Sequence, residues 1–117
     1  MKNLMLGLLA ALMIPAVAWA HSPLKSTQPA DKAKLAELPA GISMVFGKPA
    51  RLTKVTLSHT SGDETSDQRL KLPSKKFQKT FQLTPSFEGV GTYKVNWRAL
   101  SEDGHALKGA FSFTVEK

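Results

Sequence analysis

A period of two runs through residues 91–100 and leaves few folds open to the chain. Large and polar side chains alternate, with Lys94, Asn96 and Arg98 on one side and, on the other, Tyr93, Val95, Trp97 and Ala99. Because successive side chains of a β-strand point to opposite faces, this pattern predicts a strand with one buried face. Residues 111–115 repeat the pattern, so we expect the two strands to pair as a hairpin or to lie as neighbours.

Shorter apolar–polar runs predict further strands at residues 42–46, at 55–57 with Leu52 leading in, at 81–83 and, as an edge piece, at 69–72. Segments rich in Gly, Pro, Ser and Asp separate these runs and predict turns at 47–49, 61–63, 73–74 and 88–91. Residues 33–38 are expected to form at most one helical turn, because Pro39 would end it. Several short strands separated in this way predict an antiparallel β-sandwich or barrel.

Residues 1–20 have the order of a secretory signal peptide. Lys2 lies in a positive start, residues 4–18 are mostly apolar, and Ala18-Trp19-Ala20 places small residues where a signal peptidase reads them. A membrane anchor is the alternative, but a spanning helix needs about 20 apolar residues, and this stretch is shorter and contains Pro15. We therefore predict cleavage after Ala20, a mature domain of residues 21–117 and a location outside the cytoplasm.

The absence of cysteine limits the chemistry open to this chain. Its 117 residues include 16 Lys and Arg, 9 Asp and Glu, 3 His and no Cys. Disulfides, thiolate nucleophiles and iron–sulfur clusters are thereby excluded, so imidazole, carboxylate, amine, thioether and backbone groups remain to bind a metal. The lysines between Lys71 and Lys79 are interpreted as a solvated face, and no nucleic acid is expected to bind. Attraction to an anionic membrane or an acidic partner is the alternative.

Two segments carry candidate metal ligands. After cleavage, His21 would begin the mature chain, and its α-amine and imidazole could chelate one ion. The alternative is that His21 has no role in metal binding and is simply the residue that follows the cleavage site. In Asp103-Gly104-His105, the carboxylate and the imidazole lie two residues apart and could add two donors. The alternative for this segment is a polar turn. Together, amine, two imidazoles and a carboxylate suit Cu(II) better than Zn(II), Mg(II) or Ca(II).

The other candidate ligands receive structural interpretations. His59 precedes the polar turn at 61–63 and is expected in an exposed loop. Met44 alternates with two large apolar residues and is expected in the core. The aromatic residues of the two long strands are also interpreted as core, namely Tyr93, Trp97, Phe111 and Phe113.

The candidate segments resemble the CopC family of periplasmic copper-binding proteins. The start of the predicted mature chain, residues 21–31 with the sequence HSPLKSTQPAD, is similar to the opening of that family. Residues 91–105, with the sequence GTYKVNWRALSEDGH, are similar to its second signature, and residues 109–115 continue it as a last strand. The two signatures stand in the family's order, and the similarity covers nearly the whole of residues 21–117.

The resemblance implies an immunoglobulin-like Greek-key β-sandwich or barrel, here of about seven short antiparallel strands. It also implies one Cu(II) per chain, held by His21, Asp103 and His105, and an inner-membrane copper transporter as partner. Some members add a Cu(I) site in a methionine-rich loop. Residues 47–54 contain no methionine, so no dedicated Cu(I) site is expected.

We therefore predict a monomeric periplasmic protein that sequesters or delivers Cu(II) in copper homeostasis or resistance and is not an enzyme. Two alternatives stay open. A histidine-brace copper oxygenase also uses an N-terminal histidine, and it would oxidise a substrate or produce peroxide with ascorbate. A metal-free immunoglobulin-like interaction module would not take up Cu(II) at all.

Overall fold

The structure is a computed structural model and describes residues 23–117. The predicted signal peptide and His21 therefore lie outside the described residues, and the division at residue 20 stays a prediction. The strands are, in chain order, β1 (Leu24–Gln28), β2 (Ala33–Leu35), β3 (Ile42–Ser61), β4 (Glu64–Arg69), β5 (Gln78–Leu83), β6 (Gly91–Ser101) and β7 (Ala106–Val115). Across residues 23–117 we find no helix with the length and apolar character needed to span a membrane.

The long strand β3 organises the sheet. Its first part pairs antiparallel with β1 on one edge and β5 on the other, and its second part pairs antiparallel with β4 and β6. The register shifts between Val45 and Ala50, and Ala50 pairs both with Gln78 of β5 and with Ser101 of β6. β7 pairs with β6, and β2 completes the far edge. The strand thus passes from one half of a curled sheet to the other.

The two halves of the sheet enclose one apolar core. Phe46, from the first part of β3, makes edge-to-face contacts with Phe81 of β5 at 5.7 Å and with Trp97 of β6 at 5.3 Å between ring centroids. Met44 is fully buried beside them. Every second residue of β6 between Tyr93 and Ala99 is buried. The predicted all-β sandwich and the predicted core positions are confirmed.

Three details of the prediction were wrong. Residues 47–49 do not separate two strands, because a bulge absorbs Pro49 within the continuous β3. Residues 33–35 form no helical turn but a short strand, and it pairs parallel to β7 rather than antiparallel. The edge strand β4 spans Glu64–Arg69 instead of 69–72. In the first two cases, pairing with a strand distant in sequence decides the local structure. In the third, the turn at residues 62–63 sets the start of β4, which pairs back onto the end of β3.

His59 is also not in an exposed loop, as the sequence analysis expected. It lies in β3, is 9% exposed and stacks on Tyr93 with the ring centroids 4.5 Å apart. Its Nε2 lies 2.8 Å from the carbonyl oxygen of Val90, to which the protonated nitrogen donates. The alternation of Val55, Leu57 and His59 continues the buried face of β3, and this period of two was the signal that indicated burial.

Candidate metal centre

Residues 102–105 form the loop that joins β6 and β7. The Ser101 amide donates to the His105 carbonyl at 2.9 Å, and the Gly104 amide donates to the Ser101 carbonyl at 3.0 Å. Gly104 has a φ of 88°, in the region that glycine adopts without steric cost. The predicted hairpin is confirmed, and its tight closure places the side chains of Asp103 and His105 on the same side of the tip.

Asp103 and His105 face each other at this tip. His105 Nδ1 lies 3.0 Å from Asp103 Oδ2, and the two side chains are 78% and 65% exposed, respectively. Two cis ligands, each about 2.0 Å from a metal, would lie about 2.8 Å apart. The observed distance is therefore compatible with a hydrogen bond between the imidazole and the carboxylate, and also with both groups binding the same metal ion. The structure brings together the two candidate ligands that the sequence placed in this loop.

Ser101 orients the Asp103 carboxylate and was not singled out from the sequence. Its hydroxyl donates to Asp103 Oδ1, and the His105 amide donates to the same oxygen at 3.3 Å. These two hydrogen bonds, the hydroxyl first, lower the pKa of Asp103 below its ordinary value. The carboxylate is thus ionised near neutral pH, with Oδ2 turned to the imidazole. The Ser-x-Asp spacing was the available signal, because such residues often bond to a nearby backbone or side chain in turns.

The first described residue, Pro23, lies beside the same loop. It lines an open cavity of about 600 Å³ together with Asp103, His105 and Gly47. The Gly47 amide donates to the Pro23 carbonyl at 3.0 Å, and the next residue, Leu24, pairs with Phe46 of β3. Pro23 is therefore held next to the hairpin tip, and His21, two residues earlier in the sequence, is outside the described residues.

The other histidine and the methionine of residues 23–117 lie elsewhere. His59 Nδ1 faces Glu88 Oε1 at 3.7 Å, at a separate cavity of about 480 Å³. Met44 is 0% exposed and cannot reach solvent. Within residues 23–117, no three His, Cys, Asp or Glu side chains are grouped so that they could hold a metal ion. Asp103 and His105 are thus a pair of donors, and the described part adds no third side chain of these types.

These features define the class of protein. It is a small β-sandwich domain whose candidate metal site is the exposed carboxylate–imidazole pair at one hairpin. The chain belongs to the CopC family, since the family model described as the CopC domain matches residues 24–116. The resemblance proposed from the two sequence segments is confirmed, and a copper-related function follows from it.

Relatives and solved structures agree with this membership. The chain is 32% identical to copper resistance protein C of Pseudomonas syringae pv. tomato, with 92% of this chain and 90% of that protein covered. It is 29% identical to protein YobA of Escherichia coli (strain K12), with 93% and 89% covered. The crystal structure of CopC from Methylosinus trichosporium OB3b has a TM-score of 0.62 and 28% identity, covering 82% of this chain and 94% of that chain. PcoC of Escherichia coli, described as a methionine-rich copper resistance protein, has a TM-score of 0.61 and 30% identity over 83% of this chain and 100% of that one.

Proposed function

We propose that the protein is a periplasmic Cu(II)-binding protein that sequesters or delivers copper and carries one ion per chain. The ligands in this proposal are His21, Asp103 and His105. The observation that carries it is the exposed Asp103–His105 pair, with its 3.0 Å separation, in a cavity that Pro23 also lines. The donors that are missing from the described residues would come from the mature N-terminus, which lies just before Pro23 in the chain.

The donor set suits Cu(II) for chemical reasons. An α-amino group has a pKa of about 7.7–8.0, so it loses its proton to a metal near neutral pH far more readily than a lysine does. Amine and imidazole from His21, imidazole from His105 and carboxylate from Asp103 would provide three nitrogens and one oxygen, a set that a tetragonal Cu(II) ion prefers. Four such donors leave little room for the open position of a catalytic metal site. We therefore propose binding and transfer rather than catalysis.

The copper that this protein carries is proposed to be Cu(II) and not Cu(I). Cu(I) selects soft thioether ligands. Met44 is the single methionine of residues 21–117, and its side chain is fully buried in the core. We propose that the protein acts as a monomer and exchanges copper with an inner-membrane transporter.

The sharpest test compares protein that begins at His21 with protein that carries one additional residue before it. The extension converts the α-amine into an amide and removes a chelating nitrogen. Cu(II) affinity is expected to fall by orders of magnitude, and electron paramagnetic resonance with one equivalent of Cu(II) is expected to report fewer nitrogen ligands. Extension at the other end, after Lys117, is the matched control and should leave both unchanged. Equal affinity for the two N-terminal forms would show that the α-amine of His21 is not a ligand.

A further inference from the structure

A row of cations crosses three adjacent strands on the outer face of the sheet. Lys54 of β3 pairs directly with Arg98 of β6, and Arg98 pairs directly with Lys108 of β7. All three side chains are exposed. Directly opposed positions in antiparallel strands place Cβ atoms about 4.5–5.5 Å apart, so the three basic side chains start from neighbouring positions on the sheet. The hydrophobic period of β6 required Arg98 to face outward, but only the strand register reveals the row.

Two further cations extend the row. Lys94 lies four residues before Arg98 in β6, on the same face of the sheet. Arg69 of β4 pairs with Thr56 of β3. The acidic residue nearest to them on β4 is Asp67, which pairs with Ser58 and accepts a hydrogen bond from its hydroxyl at 2.7 Å. We define the cationic face by its five basic residues, namely Lys54, Arg69, Lys94, Arg98 and Lys108.

The fold offsets the positive charge of this face only in part, because Asp67 is the one carboxylate among the described residues that line the cleft beside it. Among residues 23–117, the contacts within 4 Å between a basic and an acidic side chain are His59–Glu88 and His105–Asp103, and neither includes a residue of the cationic face. Like charges directly opposite each other in a sheet are destabilising. The arrangement therefore costs the isolated protein some stability, whereas an acidic partner would neutralise it.

We propose that the cationic face docks an acidic segment of a partner protein. The row borders a cleft of about 610 Å³ that is also lined by Thr56, Asn96 and Asp67. The hydroxyl of Thr56 and the amide of Asn96 can hydrogen-bond to carboxylates, and the Asp67 carboxylate accepts a hydrogen bond from Ser58. A lipid bilayer fits less well, because insertion needs exposed apolar side chains. Within the described part of the chain, the large exposed apolar residues are Leu38, Phe77 and Val90, and none belongs to the cationic face.

The cationic face also begins close to the hairpin tip. Arg98 precedes Ser101 by three residues in β6, which corresponds to about 10 Å along the strand. A docked acidic segment would therefore lie next to the loop that carries Asp103 and His105. The docking itself does not depend on copper, so it can be tested on metal-free protein, separately from the proposed metal site.

The experiment measures binding of a fluorescent oligo-glutamate peptide to metal-free protein at low ionic strength. The double substitution Arg98→Glu/Lys108→Glu is expected to weaken binding about tenfold or more, because it reverses two charges at the contact. The matched control Lys25→Glu/Lys79→Glu changes the net charge by the same amount on β1 and β5 and is expected to weaken binding by less than about threefold. Near-ultraviolet circular dichroism checks that both variants are folded.

Amide chemical shifts of the unaltered protein give an independent measurement. Titration with the peptide is expected to shift the amides of β3, β6 and β7 that surround Lys54, Arg98 and Lys108. The proposal is overturned if the two double variants lose affinity equally, since net charge alone would then explain binding. It is also overturned if shifts concentrate at residues 71–79, if the peptide does not bind, or if phosphatidylglycerol vesicles bind in place of the peptide.

Discussion

Ser101 is not one of the proposed ligands, yet it orients one of them, the Asp103 carboxylate. Its hydroxyl and the His105 amide occupy one oxygen of the Asp103 carboxylate, so the other oxygen is left for the imidazole. The residue pattern identified Asp103 and His105 because their side chains carry the chemistry. It did not identify Ser101, because a serine in a turn has many uses and only the closed loop shows which one applies.

Substituting Asp103 or His105 with Ala is expected to weaken Cu(II) binding and to change its electron paramagnetic resonance spectrum, because each substitution removes a proposed ligand. His59→Gln is the matched control, since His59 faces a separate cavity, and its spectrum should equal that of the unaltered protein. An unchanged spectrum in His105→Ala would exclude His105 as a ligand.

The buried phenol of Tyr93 predicts a loss of stability at alkaline pH. Its hydroxyl donates to the Gly89 carbonyl and accepts from the Glu88 amide at 3.0 Å, and burial is the main cause that raises its pKa above 10.0. A raised pKa in the folded state means that the neutral phenol contributes stability below about pH 10. This contribution is lost as the pH rises towards the pKa of the folded protein.

Tyr93→Phe is therefore expected to lower the free energy of unfolding by about 1 kcal/mol at neutral pH. Above pH 10 the difference in free energy of unfolding between the two proteins should shrink. Ionisation of the phenol stabilises the unfolded state of the unaltered protein, and the Phe variant has no phenol at this position to ionise. Urea denaturation over a range of pH measures this difference. A gap that widens with pH would contradict the assigned direction of the pKa shift.

At the scale of the strands, the sequence predicted β6 and the second half of β7, because both have one buried face and a period of two is a local property. It missed the first half of β7, which begins at Ala106 and has no buried residue before Phe111. It missed the continuity of β3 because the Gly and Pro of residues 47–49 have the composition of a turn. Only the pairing of Ala50 with both β5 and β6 shows that the strand continues. It missed β2 because three residues carry no period, and their parallel pairing with β7 depends on the complete sheet.

The contact of Gly109 with Trp97 provides a test of strand packing. The two residues pair across β6 and β7, and a Cβ on Gly109 would lie 2.7 Å from Trp97 Cζ2. Gly109→Ala is therefore expected to lower the free energy of unfolding by about 1–3 kcal/mol, as overpacking of a core does. Gly47→Ala is the control, because its Cβ would meet nothing closer than 4.0 Å. Equal denaturation midpoints for the two variants would show that the indole can move aside.

At the scale of the whole molecule, the fold joins two distant parts of the chain. β1 pairs with the first part of β3, and the bulge then brings Ala50 beside Ser101 at the end of β6. The described start of the chain and the hairpin tip are therefore neighbours in space although about 80 residues separate them in sequence. No local pattern could predict this proximity, and the resemblance of residues 21–31 and 91–105 to one family was the only signal for it.

Cu(II) is accordingly expected to stabilise the folded protein. An ion that binds only the folded state adds about 4 kcal/mol when its free concentration is about 1,000 times the Kd. Thermal unfolding with and without Cu(II) measures the effect, which should disappear in the N-terminally extended form. A similar rise in Tm for that form would mean that copper binds without the terminal amine.

The position of β1 has a consequence for how quickly an ion could leave. β1 is a five-residue strand at one end of the sheet order, and short outer strands fray more readily than the interior of a domain opens. Each fraying event would carry the proposed N-terminal ligands away from Asp103 and His105. The rate of copper dissociation should then follow the rate of β1 opening that hydrogen exchange at its amides reports. It should be far higher than the rate of global unfolding.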